Sequence, residues 1–96
     1  MTRDEVLAIL SAHYAELTAL GVTSLALFGS FARDEARADS DVDLVVEFDG
    51  PPTFSRYMDV KFYLEDILGR EVDLVPREGL KPRLRPIVER EEIRVA

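Results

Sequence analysis

The sequence contains no cysteine and one histidine, His13. Without thiols it has neither a disulfide framework nor thiolate catalysis. A lone histidine excludes a histidine zinc cluster and a catalytic triad. Any metal in this chain must be held by carboxylates. Apolar runs are also short, none approaching the roughly 20 residues of a helical membrane span. The opening MTRDEVLAIL carries acidic residues where a secretory signal would be basic and then unbrokenly apolar. A cytoplasmic protein is therefore expected.

What is present suits one compact unit. With 96 residues, 47% of them apolar, the chain can build one core and no second, so a single domain over residues 1–96 is expected. Net charge is −7, unevenly placed: residues 1–75 hold 6 Lys/Arg against 15 Asp/Glu, while residues 76–96 hold 6 against 4. So acidic a body repels a phosphate backbone, which argues against extensive nucleic-acid binding. A nucleotide chelated to a divalent cation remains compatible with it. The basic tail reads as a solvated helix face.

Periodicity gives the elements. Thr2-x-x-Glu5 is a capping-box pattern, and Val6, Leu10, Tyr14, Leu17 and Leu20 then form one helical stripe that stops at Gly21. Residues 22–28, apolar and bounded by glycine, read as an inner strand delivering the chain to Gly29-Ser30. A short helix over 31–37 follows, with its first turn at Gly29-Ser30. From Asp41 the sequence alternates, placing Val42, Leu44, Val46 and Phe48 on one strand face and Asp41, Asp43, Val45 and Glu47 on the other. Residues 53–68 form a long helix ending before Gly69, residues 71–75 a short strand, and Leu80, Leu84, Ile87 and Val88 mark a last helix in which Pro86 would disrupt an interior position. A final strand over 93–95 is expected. The fold class is thus α/β (α+β), a small mixed sheet of three to four strands flanked by helices.

Asp41 and Asp43, two apart on one strand, can reach a shared pair of cations. Hard Mg²⁺ prefers oxygen ligands, and two-metal sites that transfer phosphorus-centred groups hold their ions with carboxylates. Asp73 repeats the anomaly of a carboxylate inside an apolar strand, an expensive placement unless exposed, paired or metal-bound. It is the natural third ligand and the group to orient or deprotonate an acceptor hydroxyl, provided that its strand lies beside that of Asp43. Gly29 permits close approach of a phosphate, Ser30 offers a hydroxyl donor at a helix start, and Arg33 one turn later supplies a planar fork. Glu47 and Asp49 read as solvated strand-end charges, His13 as a surface residue, and Tyr57, Phe62 and Tyr63 as packing residues.

Gly29-Ser30, ten intervening residues and Asp41-Val42-Asp43-Leu44 together resemble the signature of the polymerase-β-type nucleotidyltransferase superfamily. The longer run Phe28-Gly29-Ser30-Phe31-Ala32-Arg33 to Ser40-Asp41-Val42-Asp43-Leu44-Val45-Val46, continued by Leu68-Gly69-Arg70-Glu71-Val72-Asp73-Leu74-Val75, is similar to the minimal nucleotidyltransferase (MNT) proteins of bacteria and archaea. The resemblance implies a polymerase-β-palm-like fold, triphosphate binding at Gly29 and Ser30, Mg²⁺ at Asp41 and Asp43, and Asp73 as the later strand acid. It further implies an antitoxin that transfers AMP from ATP to a tyrosine hydroxyl of a HEPN-domain toxin. Asp34-Glu35 departs from the family pattern, in which a glycine often follows the Ala-Arg pair. The alternative readings are an antitoxin that neutralises its partner by contact, with a vestigial nucleotide site, and a small regulatory domain with an acidic cation site.

Overall fold

The computed structural model describes residues 1–95. Thr2 caps helix α1 (Arg3–Ala12) through a complete capping box with Glu5. The expected single N-terminal helix is in two pieces, because at His13 the backbone leaves helical geometry, and α2 (Tyr14–Ala19) starts anew. At the break the Ile9 carbonyl oxygen accepts the His13 N–H at 3.2 Å and also lies 2.9 Å from the His13 ring Nδ1. The apolar stripe survives the break, with Val6, Leu10 and Leu17 fully buried.

Strand β1 (Val22–Phe28) runs into a one-turn helix α3 (Gly29–Ala32), and β2 (Val42–Phe48) returns antiparallel to β1. A bulge between Val22 and Ser24 shifts the facing of β1, so that Val22 joins Leu25 and Leu27 in the same core. Helix α4 (Phe54–Leu68) is capped by the Thr53 hydroxyl and ended by Gly69 in the left-handed conformation, φ 65°. It leads to β3 (Val72–Pro76), which pairs parallel with β2. After a 3₁₀ turn over Arg77–Gly79, α5 (Arg85–Glu91) and β4 (Ile93–Arg94) complete the chain. Pro86 is tolerated because α5 begins later than the apolar spacing suggested, leaving the proline in its first turn, where the missing N–H is not needed.

The sheet has strand order β3-β2-β1-β4 and is mixed, as expected for this fold class. One face packs Leu25, Leu27, Leu44, Val46 and Leu74 against Leu10, Leu17, Val60 and Leu64 of α1, α2 and α4, forming the main core. The opposite face carries a smaller cluster of Val45, Leu80 and Val88, with Phe28 and Val75 against it. Burial of Val45 on the acid-bearing face follows from this second layer. Among the described residues no helix is long and apolar enough to cross a membrane.

Candidate active site

The Gly-Ser turn and the acid pair are one packed unit. Phe28, the last residue of β1, is the direct partner of Asp43 on β2, so the next residue, Gly29, lies under the Asp43 side chain. Gly29 adopts φ 74°, and a Cβ there would overlap the Asp43 carboxylate. Two constraints therefore demand glycine, the backbone conformation and the carboxylate against it.

Helix α3 is shorter than the expected 31–37. Asp34 takes a left-handed conformation, φ 58°, and its N–H donates to Phe31 O while that of Glu35 donates to Ser30 O. This is a Schellman stop with aspartate where glycine is usual, which locates the departure of Asp34 from the family pattern in the backbone. Ser30 is half-buried, its carbonyl taken by that stop.

Asp73 faces Asp43 directly across the parallel ladder, at the interstrand spacing of about 4.8 Å. Asp41 sits just before β2 and is exposed, Asp43 is half-buried and Asp73 is exposed. The condition set on Asp73, that its strand neighbour that of Asp43, is met. The Asp43 carboxyl is pushed up from 3.8 to about 6, first by burial and then by the charges of Asp73 and Asp41, with Arg33 opposing. Among the described residues no three such side chains are already gathered into a cation cage. The donor set nevertheless fits a hard divalent cation: only carboxylates are offered, and their mutual repulsion is what a cation would relieve.

Arg33 has partners of its own. Its Nε donates to Glu35 at 3.1 Å, and its Nη1 to both carboxylate oxygens of Glu91 on α5 at 3.3 and 3.1 Å. The fork expected to reach phosphate thus ties α3 to α5, and Arg37 is exposed beyond it.

Two concavities meet at Asp73. One, of about 390 Å³, lies between the sheet and α5 and is walled by Phe28, Val75, Leu80, Leu84, Ile87 and Val88, with Gly29, Arg33 and Glu91 among its polar lining. Leu84 and Ile87 remain 41% and 45% exposed beside it. The other, of about 700 Å³, is open and polar, lined by Asp41, Lys61, Glu65, Arg70, Glu71 and Asp73. The apolar groove is the part of the site that sequence reasoning missed. Its signal was present in the apolar residues of α5, which read only as a packing stripe.

Other expectations change. Glu47 keeps its solvent exposure but is also paired: Arg77 donates to it at 2.8 Å and to Glu92 at 2.7 Å, fastening the C-terminal segment to β2. Tyr57 and Tyr63 pack against the main core as expected, and the Tyr57 hydroxyl donates to Leu74 O. Phe62, by contrast, is 57% exposed. His13 is half-buried, edge-on to the Tyr63 ring at 6.1 Å.

Comparison with known proteins agrees with this architecture. Residues 4–95 match the nucleotidyltransferase domain family. The protein adenylyltransferase MntA of Thermococcus cleftensis is 41% identical over 96 residues, 99% of this chain and 97% of its own length. A solved structure described as a candidate minimal nucleotidyltransferase is 41% identical, with a TM-score of 0.85 over 97% of this chain and 95% of its own. The fold also recurs, at 18% identity and TM-score 0.61 over 88% of this chain and 70% of the other, in a structure of a tri-AMPylated Shewanella oneidensis HEPN toxin in complex with MNT antitoxin. This chain belongs to the nucleotidyltransferase domain family.

Proposed function

We propose that this nucleotidyltransferase is a cytoplasmic, Mg²⁺-dependent protein adenylyltransferase, which moves AMP from ATP to a tyrosine hydroxyl of a HEPN-type toxin and so acts as its antitoxin. The observation that carries the reading is the alignment of Asp43 with Asp73 over Gly29, which gathers the acids and the phosphate turn at one point. The adenylyltransferase name of the Thermococcus relative supports the reaction type, and the HEPN complex of the more distant relative supports the partner. The chain is read as acting through a single domain over residues 1–96.

In this mechanism Asp41, Asp43 and Asp73 hold the cation, with two ions expected, and Gly29 and Ser30 take the triphosphate. The bound Mg²⁺ supplies positive charge for the phosphate oxygens and the leaving pyrophosphate. The adenosine is assigned to the apolar wall of Phe28, Val75, Leu84 and Ile87, which offers an apolar surface to a base. Asp73, shared by both concavities, accepts the proton of the acceptor hydroxyl as its oxygen bonds to the α-phosphorus and the bond to the β-phosphate oxygen breaks. Arg33, which lines the groove with Gly29, is shared between Glu91 and the incoming phosphates in this reading.

The second reading, a non-catalytic antitoxin, is favoured by one observation, the engagement of Arg33 by Glu35 and Glu91 away from the phosphate turn. The two are separated by incubating the chain with α-labelled ATP, Mg²⁺ and the protein encoded beside it, and comparing Asp41→Ala/Asp43→Ala. Label transfer and toxin neutralisation lost together in the double variant support the enzyme. Full neutralisation by a variant that transfers no label supports the binder.

A further inference from the structure

We propose that the polar cleft between the end of α4 and β3 is the docking site for the acceptor polypeptide, and that Glu71 selects acceptors whose hydroxyl has basic neighbours. The inference rests on the proposed transfer reaction and adds to it the direction and chemistry of acceptor entry.

Topology sets the direction. In the order β3-β2-β1-β4 the acid-bearing strand β2 is flanked on one side by β1 and β4 and on the other by β3 alone. The apolar groove takes up the α5 side of Asp73, so a macromolecule can present a hydroxyl to Asp73 from across the β3 edge, where the cleft of about 700 Å³ opens. In-line transfer needs acceptor and pyrophosphate on opposite sides of the phosphorus, and Gly29 of the proposed triphosphate turn lines the groove and not the cleft.

The edge itself is partly occupied by α4. On β3 the Val72 N–H donates to Glu65 at 3.0 Å and Leu74 O accepts from the Tyr57 hydroxyl, so both backbone groups are already engaged by α4. A regular shared ladder is interrupted there, which favours docking through side chains. Of the two cations in the cleft, Lys61 is held by Glu65 at 2.9 Å. Arg70 donates to Ala38 O at 2.8 Å, and its guanidinium lies 5.3 Å from the Phe31 ring centre. Lys61 is thus paired with a carboxylate, whereas Arg70 is anchored on neutral groups and keeps its charge. Glu71 is exposed and, among the described residues, makes no salt bridge. With Glu65 on Lys61, the cleft lining sets Asp41, Glu71 and Asp73 against the single charge of Arg70, on a body whose residues 1–75 hold 15 Asp/Glu against 6 Lys/Arg. Charge complementarity then points to a basic polypeptide segment, because a nucleic-acid end would bring phosphates to this same edge.

The test uses the full chain with its neighbouring-gene protein as acceptor, comparing wild type, Glu71→Gln and Glu71→Lys. The acceptor KM is expected to rise about threefold in Gln and about tenfold in Lys, with kcat and the KM for ATP within about twofold. The Kd for the partner without ATP or Mg²⁺ should weaken by similar factors, and the wild-type Kd should weaken with added salt more steeply than that of Glu71→Lys. An unchanged acceptor KM and Kd in Glu71→Lys overturns the docking site, as does labelling of an RNA end or of a second copy of this chain in place of the partner. If wild type labels nothing, the transfer reading falls first and this inference with it. If wild type labels the partner but Glu71→Lys is unaffected, the inference falls alone.

Discussion

Asp43 and Asp73 are direct partners across the parallel β2/β3 ladder, and Gly29 lies beneath the Asp43 carboxylate. Burial and the charges of Asp73 and Asp41 raise the Asp43 carboxyl to about 6, against an ordinary 3.8. The folded chain thus holds this proton more tightly than the unfolded chain. Without divalent cation, stability contributed here is present below pH 4 and is lost as pH rises to about 6. Thermal melts in chelator should show that loss in wild type and not in Asp43→Asn, whose Tm at pH 7 should be the higher of the two. Added Mg²⁺ should raise the wild-type Tm more at pH 7 than at pH 5, since the cation must displace the proton.

Gly29→Ala tests whether turn and acid pair are one unit. The added methyl meets a positive φ and the Asp43 carboxylate together. A loss of about 1–3 kcal/mol in denaturant melts is expected. The Mg²⁺-induced rise in Tm should vanish in the same variant, because Asp43 is the group displaced.

Asp34→Gly should do the opposite. Asp34 holds the left-handed position of the α3 stop, φ 58°, where glycine has no Cβ penalty. Stabilisation of about 1 kcal/mol is expected, measured by urea midpoint.

Much of this was legible in the sequence, because β1, β2 and α4 are each specified locally. Thr53 and Gly69 bound α4, glycines bound β1, and alternation in β2 sets Asp43 opposite the main core. The exceptions depend on contacts distant in sequence. Glu47 looks unpaired until Arg77, thirty residues on, comes to it. Val45 looks outward-facing until Leu80 and Val88 cover it. Arg33 looks free until α5 brings Glu91. The break at His13 leaves the apolar stripe unbroken, so helical periodicity does not reveal it.

The groove built by α5 makes its own prediction. Ile87 is 45% exposed along its wall, so Ile87→Asp should leave the fold intact, read by circular dichroism. The KM for ATP should rise by about tenfold from the lost apolar contact and the added repulsion, with the partner's Kd unchanged.

Adenylyl transfer assisted by Asp73 is tested by Asp73→Asn. With ATP labelled at the α-phosphate, Mg²⁺ and the partner protein, wild type should label the partner, whereas ATP labelled at the γ-phosphate should not. Asp73→Asn should still bind ATP yet transfer label at least about a hundredfold more slowly, the scale of losing a positioned base. Transfer of the γ-label, or wild-type transfer rates in Asp73→Asn, would contradict the account.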